Sequence, residues 1–287
     1  DSNITGDRAV AIGVGALNTQ NVSGDTYNTA VGYSAGGLVT TGTYNTLIGG
    51  LAGDGMTTGT ANVAVGTQSL SGVVTGDNNV AVGHTSLEDV TSGHENTAIG
   101  RSSGLQLTEG GENVIVGYQA LQTDTKGHRA TAIGFNALAT QNFTSVTNNY
   151  NVGVGYSAGA AVTTGTNNTL IGGLAGDAIT TGTYNVALGT SALSATTTAS
   201  YNSALGADSL VTNTTGAQNV AVGYNALNAN TTASNNTAVG SSALLVNTTG
   251  ADNTALGYAT LTANTTGTLN TASGSNALRY NTTGDNN

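Results

Sequence analysis

The chain has 287 residues, of which 43 are Gly and only 7% are charged, with no Pro, Cys or Trp and a formal net charge of −10. Gly, Thr, Asn and Ser at this density exclude long helices, because they break helices and favour turns. Five basic residues against fifteen acidic ones argue against nucleic acid or anionic membrane as partners, no apolar run approaches a membrane span, and the lack of Cys excludes disulfide or thiolate–metal staples.

From Ala9 onward one phrase, Asn-(Thr/Val)-Ala-(Val/Ile/Leu)-Gly, recurs sixteen times in near-identical form. It closes at Gly13, Gly32, Gly49, Gly66, Gly83, Gly100, Gly117, Gly134, Gly155, Gly172, Gly189, Gly206, Gly223, Gly240, Gly257 and Gly274. Thirteen of the fifteen intervals are 17 residues; the others are 19 (Gly13 to Gly32) and 21 (Gly134 to Gly155). A fixed short period over a whole chain predicts a solenoid of stacked coils. The expected fold is all-β, a parallel β-roll or β-solenoid of sixteen ~17-residue coils forming one continuous domain over residues 1–287. Coils 9–27 and 130–150 are irregular, and their extra residues are expected to bulge outward on the same side.

Each coil reads as strand, tight turn, short strand, turn. Counting from the Asn as position 1, position 4 is aliphatic in fifteen coils and position 3 is Ala in twelve. Strand side chains alternate, so positions 2 and 4 share one face and position 3 takes the other. A bulky face and an Ala face imply neighbours at different distances, with the Ala face against something very close. The invariant Gly at position 5 predicts a positive φ or a backbone contact that a Cβ would block. A second Gly at position 15 marks the other turn. The position-1 residues Asn28, Asn45, Asn62, Asn79, Asn96, Asn113, Asn151, Asn168, Asn185, Asn202, Asn219, Asn236, Asn253 and Asn270 are expected to bond as an amide ladder along the stack, broken at Ala9 and Ala130.

Position 9 is Leu in eleven coils and Gly in five: Gly36, Gly53, Gly104, Gly159 and Gly176. Those five carry an aliphatic residue at position 12 (Val39, Met56, Leu107, Val162, Ile179), where most Leu coils carry a polar one such as Asn213 or Asn230. Positions 9 and 12 are therefore expected to fill one core space, with Val73 and Val90 as exceptions. On that reading Leu227→Gly combined with Asn230→Val should recover much of the loss of the single change. A longer repeat overlies the short one: Asn28–Leu70 closely matches Asn151–Leu193. Asn3–Ala9 also matches Asn281–Asn287, which reads as a segment of a longer fibre or a unit stacking end to end.

At Asn28-Thr29-Ala30-Val31-Gly32 and its copies the chain resembles the YadA-like head repeats of trimeric autotransporter adhesins, and similar repeats of phage tail fibres. The resemblance covers nearly the whole chain and is carried by the recurrence. It implies a left-handed roll, three chains packed as a homotrimer, and a head that adheres to a host-surface protein or glycan. The period here is longer than the family's usual one, and its neck, stalk and anchor are not recognisable in these residues.

Few residues point to chemistry. His84, His94 and His128 fall in a charged segment without recurring ligand spacing, so no metal site or cofactor is expected. Asp25, Asp77, Asp252 and Asp285 near the second turn lack the dense pattern of calcium-binding rolls. Carboxylates are scattered outside any common register, and no triad or phosphate loop occurs, so the chain is not read as an enzyme; a tailspike glycosidase is the least favoured option. Tyr33, Tyr118, Tyr156, Tyr224 and Tyr258, each just after the invariant Gly, could stack on sugars or pack a partner, against the plainer reading of turn spacers. Asn-Thr-Thr at Asn213, Asn230, Asn247, Asn264 and Asn281 fits a glycosylation sequon, as a repeat built from Asn and Thr does anyway. The expected role is structural and adhesive, in an extracellular fibre at a cell surface or virion. The alternatives are a purely mechanical filament subunit and an ice-binding solenoid using the Thr-Thr-Gly edge.

Overall fold

The structure, a computed structural model, describes residues 6–287. Of the matched end segment, Asn3–Thr5 lies outside the described residues. Among the described residues every regular element is a short β-strand. The protein is a parallel β-solenoid of about sixteen 17-residue coils, divided into two compact units, Asp1–Asn149 and Tyr150–Asn287.

In the first unit the three-residue strands run from Val10–Ile12 and Thr29–Val31 to Thr131–Ile133, and in the second from Val152–Val154 to Thr271–Ser273. Within each unit, each pairs in parallel with the next, residue for residue, as in Thr29↔Thr46, Ala30↔Leu47 and Val31↔Ile48, or Val220↔Thr237, Ala221↔Ala238 and Val222↔Val239. The ladder continues outside the strands: Leu227 N–H donates to Ala243 O (3.0 Å) and Thr231 N–H to Thr248 O (3.2 Å). A segment too polar to form a thick core is thus held by backbone groups paired coil to coil.

From Ala30 onward position 3 points inward and is buried, as are positions 1, 8, 9 and 12 apart from the exposed Val73 and the last coil, where Leu278 is exposed and Ala277 and Asn281 are half-buried. The close neighbour of the Ala face is therefore the opposite wall of its own coil. Positions 2 and 4 point outward.

The invariant Gly is required twice over. Gly223 has φ +130°, and a Cβ there would stand 2.7 Å from the carbonyl carbon and oxygen of Gly240. Non-Gly residues also adopt left-handed conformations in each coil, for example Asn225 (φ 56°), Leu227 (φ 50°) and Asn235 (φ 61°). Each such residue costs of order ~1–2 kcal/mol, and the stack holds it there. Position 9 is one of these sites, which adds a reason for its Leu/Gly alternation: Gly enters this conformation freely.

The shared core space has three contributors rather than two. A Cβ at Gly36 would meet Leu47 Cδ1 (2.7 Å), Leu17 Cδ2 (3.0 Å) and Val39 Cγ2 (3.3 Å), and at Gly176 Leu170 Cδ2 (2.7 Å) and Ile179 Cδ1 (2.8 Å). Large position-3 residues, Leu47 and Leu170, thus reach the space from the strand. Of the two exceptions, Val73 is exposed while its neighbour Val74 is buried, and Val90 is buried beside Leu87.

Both irregular coils carry their extra residues at the surface. Asn21, Ser23, Gly24 and Asp25 are exposed in one, and Asn142, Thr144, Ser145 and Val146 in the other. Each insertion rejoins the stack through a two-residue parallel bridge to position 15 of the preceding coil: Gly24–Asp25 on Gly6–Asp7, and Thr147–Asn148 on Gly127–His128.

Candidate functional site

The position-1 asparagines are all buried, and each links three coils. Asn45 N–H donates to Asn28 Oδ1 (2.8 Å), its Nδ2 donates to Gly59 O in the same coil (2.8 Å), and its Oδ1 accepts from Asn62 N–H (2.9 Å). The amide therefore ties the start of a coil to its second turn. In the first unit the ladder ends where Ala130 N–H meets Asn113 Oδ1 (2.8 Å), since Ala has no amide to pass it on. Position 15 is small because of the stacking distance: at Gly42 a Cβ would lie 2.4 Å from Gly59 O.

A second amide ladder lies at position 12, which corrects the reading of Asn213 and Asn230 as merely polar residues. Asn213, Asn230, Asn247 and Asn264 are fully buried. Asn230 Nδ2 donates to Asn213 Oδ1 (2.8 Å) and to Ala233 O (3.0 Å), and Asn247 Nδ2 donates to Asn230 Oδ1 (3.1 Å) and Gly250 O (2.8 Å). Gly216 O accepts from both ladders, Asn202 Nδ2 and Asn213 Nδ2, each at 2.9 Å. A buried amide engaged in this way is closed to glycosylation in the folded chain. The signal was the 17-residue recurrence of Asn-Thr-Thr itself.

Several charged groups pair between coils. Arg129 bonds Glu112 (2.8 Å) and Lys126 bonds Glu109 (2.7 Å). Asp77 Oδ1 accepts from Thr60 N–H (2.7 Å), Asp285 Oδ1 from Thr268 N–H (2.6 Å), and Asp252 Oδ1 from Asn235 Nδ2 (3.1 Å). These turn aspartates thus accept bonds from protein donors. His94 and His128 face each other edge-on at 6.0 Å across Gly111, while His84 lies elsewhere in the segment. Burial, then the neighbouring His94, holds the His128 imidazole below its ordinary pKa. Among the described residues no three His, Asp or Glu side chains come together as a metal-ligating group.

The exposed surface includes rows of apolar and aromatic side chains. Position 4 shows Ile48, Ile99 and Ile133 in the first unit and Leu188, Leu205, Val239 and Leu256 in the second, with Ile99 43% and Leu188 47% exposed. Aromatic residues flank this row. Tyr27 stacks on Tyr44, and Tyr184 on Tyr201, with centroids 5.2 Å apart. Of the five tyrosines after the invariant Gly, Tyr118 stacks on Phe135 at 5.2 Å with the Arg101 guanidinium 5.7 Å from its ring centre. Tyr33, Tyr156, Tyr224 and Tyr258 are more exposed. These rows are suited to packing and to contact with flat apolar groups. No protein-family model, curated protein or solved structure matches the chain.

Proposed function

We propose that the chain is a structural and adhesive segment of an extracellular fibre, working as a homotrimer whose chains cover one another's position-4 face. The observation that carries this reading is the row of outward aliphatic side chains in each unit of a protein otherwise rich in Gly, Thr and Asn. Fifteen such residues per chain, each gaining about 1 kcal/mol when its exposed half is covered, supply roughly 10–15 kcal/mol per chain. That is comparable to the ~4–15 kcal/mol cost of association, so the full row, not part of it, is needed for a stable assembly. The resemblance to YadA-like head repeats favours three chains and adhesion.

Because the chain has no Cys, single thiols report on this face directly. Leu205→Cys should react slowly with maleimide in the native protein, while Thr215→Cys, at an exposed corner, should react freely. Equal fast labelling would contradict the proposal.

One feature favours a second reading, an ice-binding edge. Thr164, Thr181, Thr198, Thr215, Thr232, Thr249 and Thr266 form an exposed, uncharged row one strand spacing apart. Ice-recrystallisation inhibition that is lost on Thr215→Lys would support it; no inhibition would dismiss it.

A further inference from the structure

We infer that the two stacked tyrosine pairs, Tyr184–Tyr201 and Tyr27–Tyr44, are oxidative coupling sites. At each, a haem peroxidase using hydrogen peroxide would join the two rings into a dityrosine staple between adjacent coils. This modification goes beyond the adhesive reading and does not depend on the number of chains in the assembly.

Each pair occupies position 17 of consecutive coils and lies within one unit. The Tyr184 and Tyr201 rings stack with centroids 5.2 Å apart and planes 2° from parallel, and Tyr27 and Tyr44 stack at 5.2 Å and 9°. The backbone sets this register. Tyr184 N–H donates to Thr166 O and Tyr201 N–H to Thr183 O, both at 3.1 Å, and the two residues share a left-handed conformation (φ 57° and 62°). One ring is therefore close to a translation of the other along the stack, and each carbon ortho to a hydroxyl faces its counterpart. Both rings stay accessible, Tyr184 at 51% and Tyr201 at 59% exposure.

In the coupling each phenol gives one electron to the oxidant and its hydroxyl proton to a base. The two ring radicals then form one carbon–carbon bond between ortho carbons, and the hydrogen on each of those carbons moves to its oxygen as the ring regains aromaticity. Two tyrosines lose two hydrogen atoms in all, and one hydrogen peroxide, reduced at the peroxidase haem, leaves as two waters. For Tyr27 the base is Asp25, whose Oδ2 accepts its hydroxyl at 3.1 Å; solvent serves the exposed Tyr184 and Tyr201. Holding the rings as neighbours turns a bimolecular encounter into an intramolecular one. The remaining gap closes by side-chain rotation, which exposed residues make rapidly. In a chain without Cys, this is a covalent link between coils that its own residues can form.

The setting is selective. Of the eleven tyrosines, the seven outside these pairs have no tyrosine at the same position of an adjacent coil. Tyr118 lies between Arg101 and Phe135, and Tyr224 between Ala207 and Ser241. Nor are the pairs copies made by the longer repeat, in which Tyr44 matches Asn167 and Tyr184 matches Ala61.

The test treats the full folded chain with a haem peroxidase and limiting hydrogen peroxide, in a mixture that couples free tyrosine, and reads dityrosine fluorescence and denatured mass. The expected product has the mass of a single chain less two hydrogens per staple. Tyr44→Phe/Tyr184→Phe keeps the stacked rings and leaves one phenol in each pair, so fluorescence should fall at least tenfold. Tyr224→Phe/Tyr258→Phe should leave it unchanged. Circular dichroism checks the fold, and a variant that loses it is replaced by Tyr27→Phe/Tyr201→Phe. No dityrosine in the folded chain, an undiminished yield from Tyr44→Phe/Tyr184→Phe, an equal loss with Tyr224→Phe/Tyr258→Phe, or cross-links found only between chains would overturn the inference.

Discussion

Asn230→Val removes one rung of the position-12 ladder, and the structure says what that costs. The change deletes the donations to Asn213 Oδ1 (2.8 Å) and Ala233 O (3.0 Å), and the acceptor for Asn247 Nδ2 (3.1 Å). Ala233 O keeps its bond from Asn219 Nδ2 (2.9 Å) and Asn247 Nδ2 keeps Gly250 O (2.8 Å), so only Asn213 Oδ1 becomes a buried orphan. One orphan at ~1–3 kcal/mol plus the net loss of two further bonds at ~0.5–1.5 each gives about 2–6 kcal/mol. Leu227→Gly works in two directions: it leaves a cavity worth ~2–5 kcal/mol but relieves the left-handed Leu at φ 50° by ~1–2. The double variant should then be at least as unstable as Asn230→Val alone. Its Val would lie between Asn213 and Asn247, whereas Val39 and Val162 are followed along the stack by the aliphatic Met56 and Ile179. This reverses the rescue expected from the sequence pattern. Denaturant unfolding of the four proteins decides it. Recovery in the double variant to near wild-type stability would refute the ladder as an energetic element.

Three further outcomes follow from the geometry. Gly223→Ala should cost more than ~4 kcal/mol, because its Cβ strikes Gly240 backbone, whereas Gly50→Ala should stay within ~0.5; thermal melts of both check this, and similar values would contradict it. His128 has a folded pKa below 6.5, so its contribution to stability is present above 6.5 and lost as pH falls through a window opening just below it; the melting temperature of His128→Gln should fall less over that range. Asp54 and Asp177 carry raised pKa values and act oppositely: they hold protons above pH 3.8 when folded, so stability rises as pH falls towards 3.8, and Asp54→Asn/Asp177→Asn should remove that gain in pH-dependent melts.

The period, the strand and the turn glycines were legible because each position keeps its own residue type, and backbone requirements leave few substitutes. Gly223 is an example: two independent constraints act on one residue. The direction of the strand faces was not legible. Ala221 and Val222 differ in size, but a thin solenoid buries the small side chain and exposes the large one, the reverse of a thick core. The second ladder was hidden for a related reason. Asn213 in an Asn- and Thr-rich repeat reads as surface, whereas its full burial and its bonds to Gly216 O and from Asn230 Nδ2 show that it lines the interior. The left-handed Leu227 carries no sequence signal, since Leu is a poor choice for that conformation and stacking alone holds it there.

The proposed trimer requires the position-4 face of each chain to be covered by its sister chains. Light scattering on the purified chain at micromolar concentration tests it most directly. The expected mass is three copies of the 28.1 kDa chain, reduced to a folded single copy by Leu205→Asp/Val239→Asp. A stable, folded wild-type monomer would contradict it.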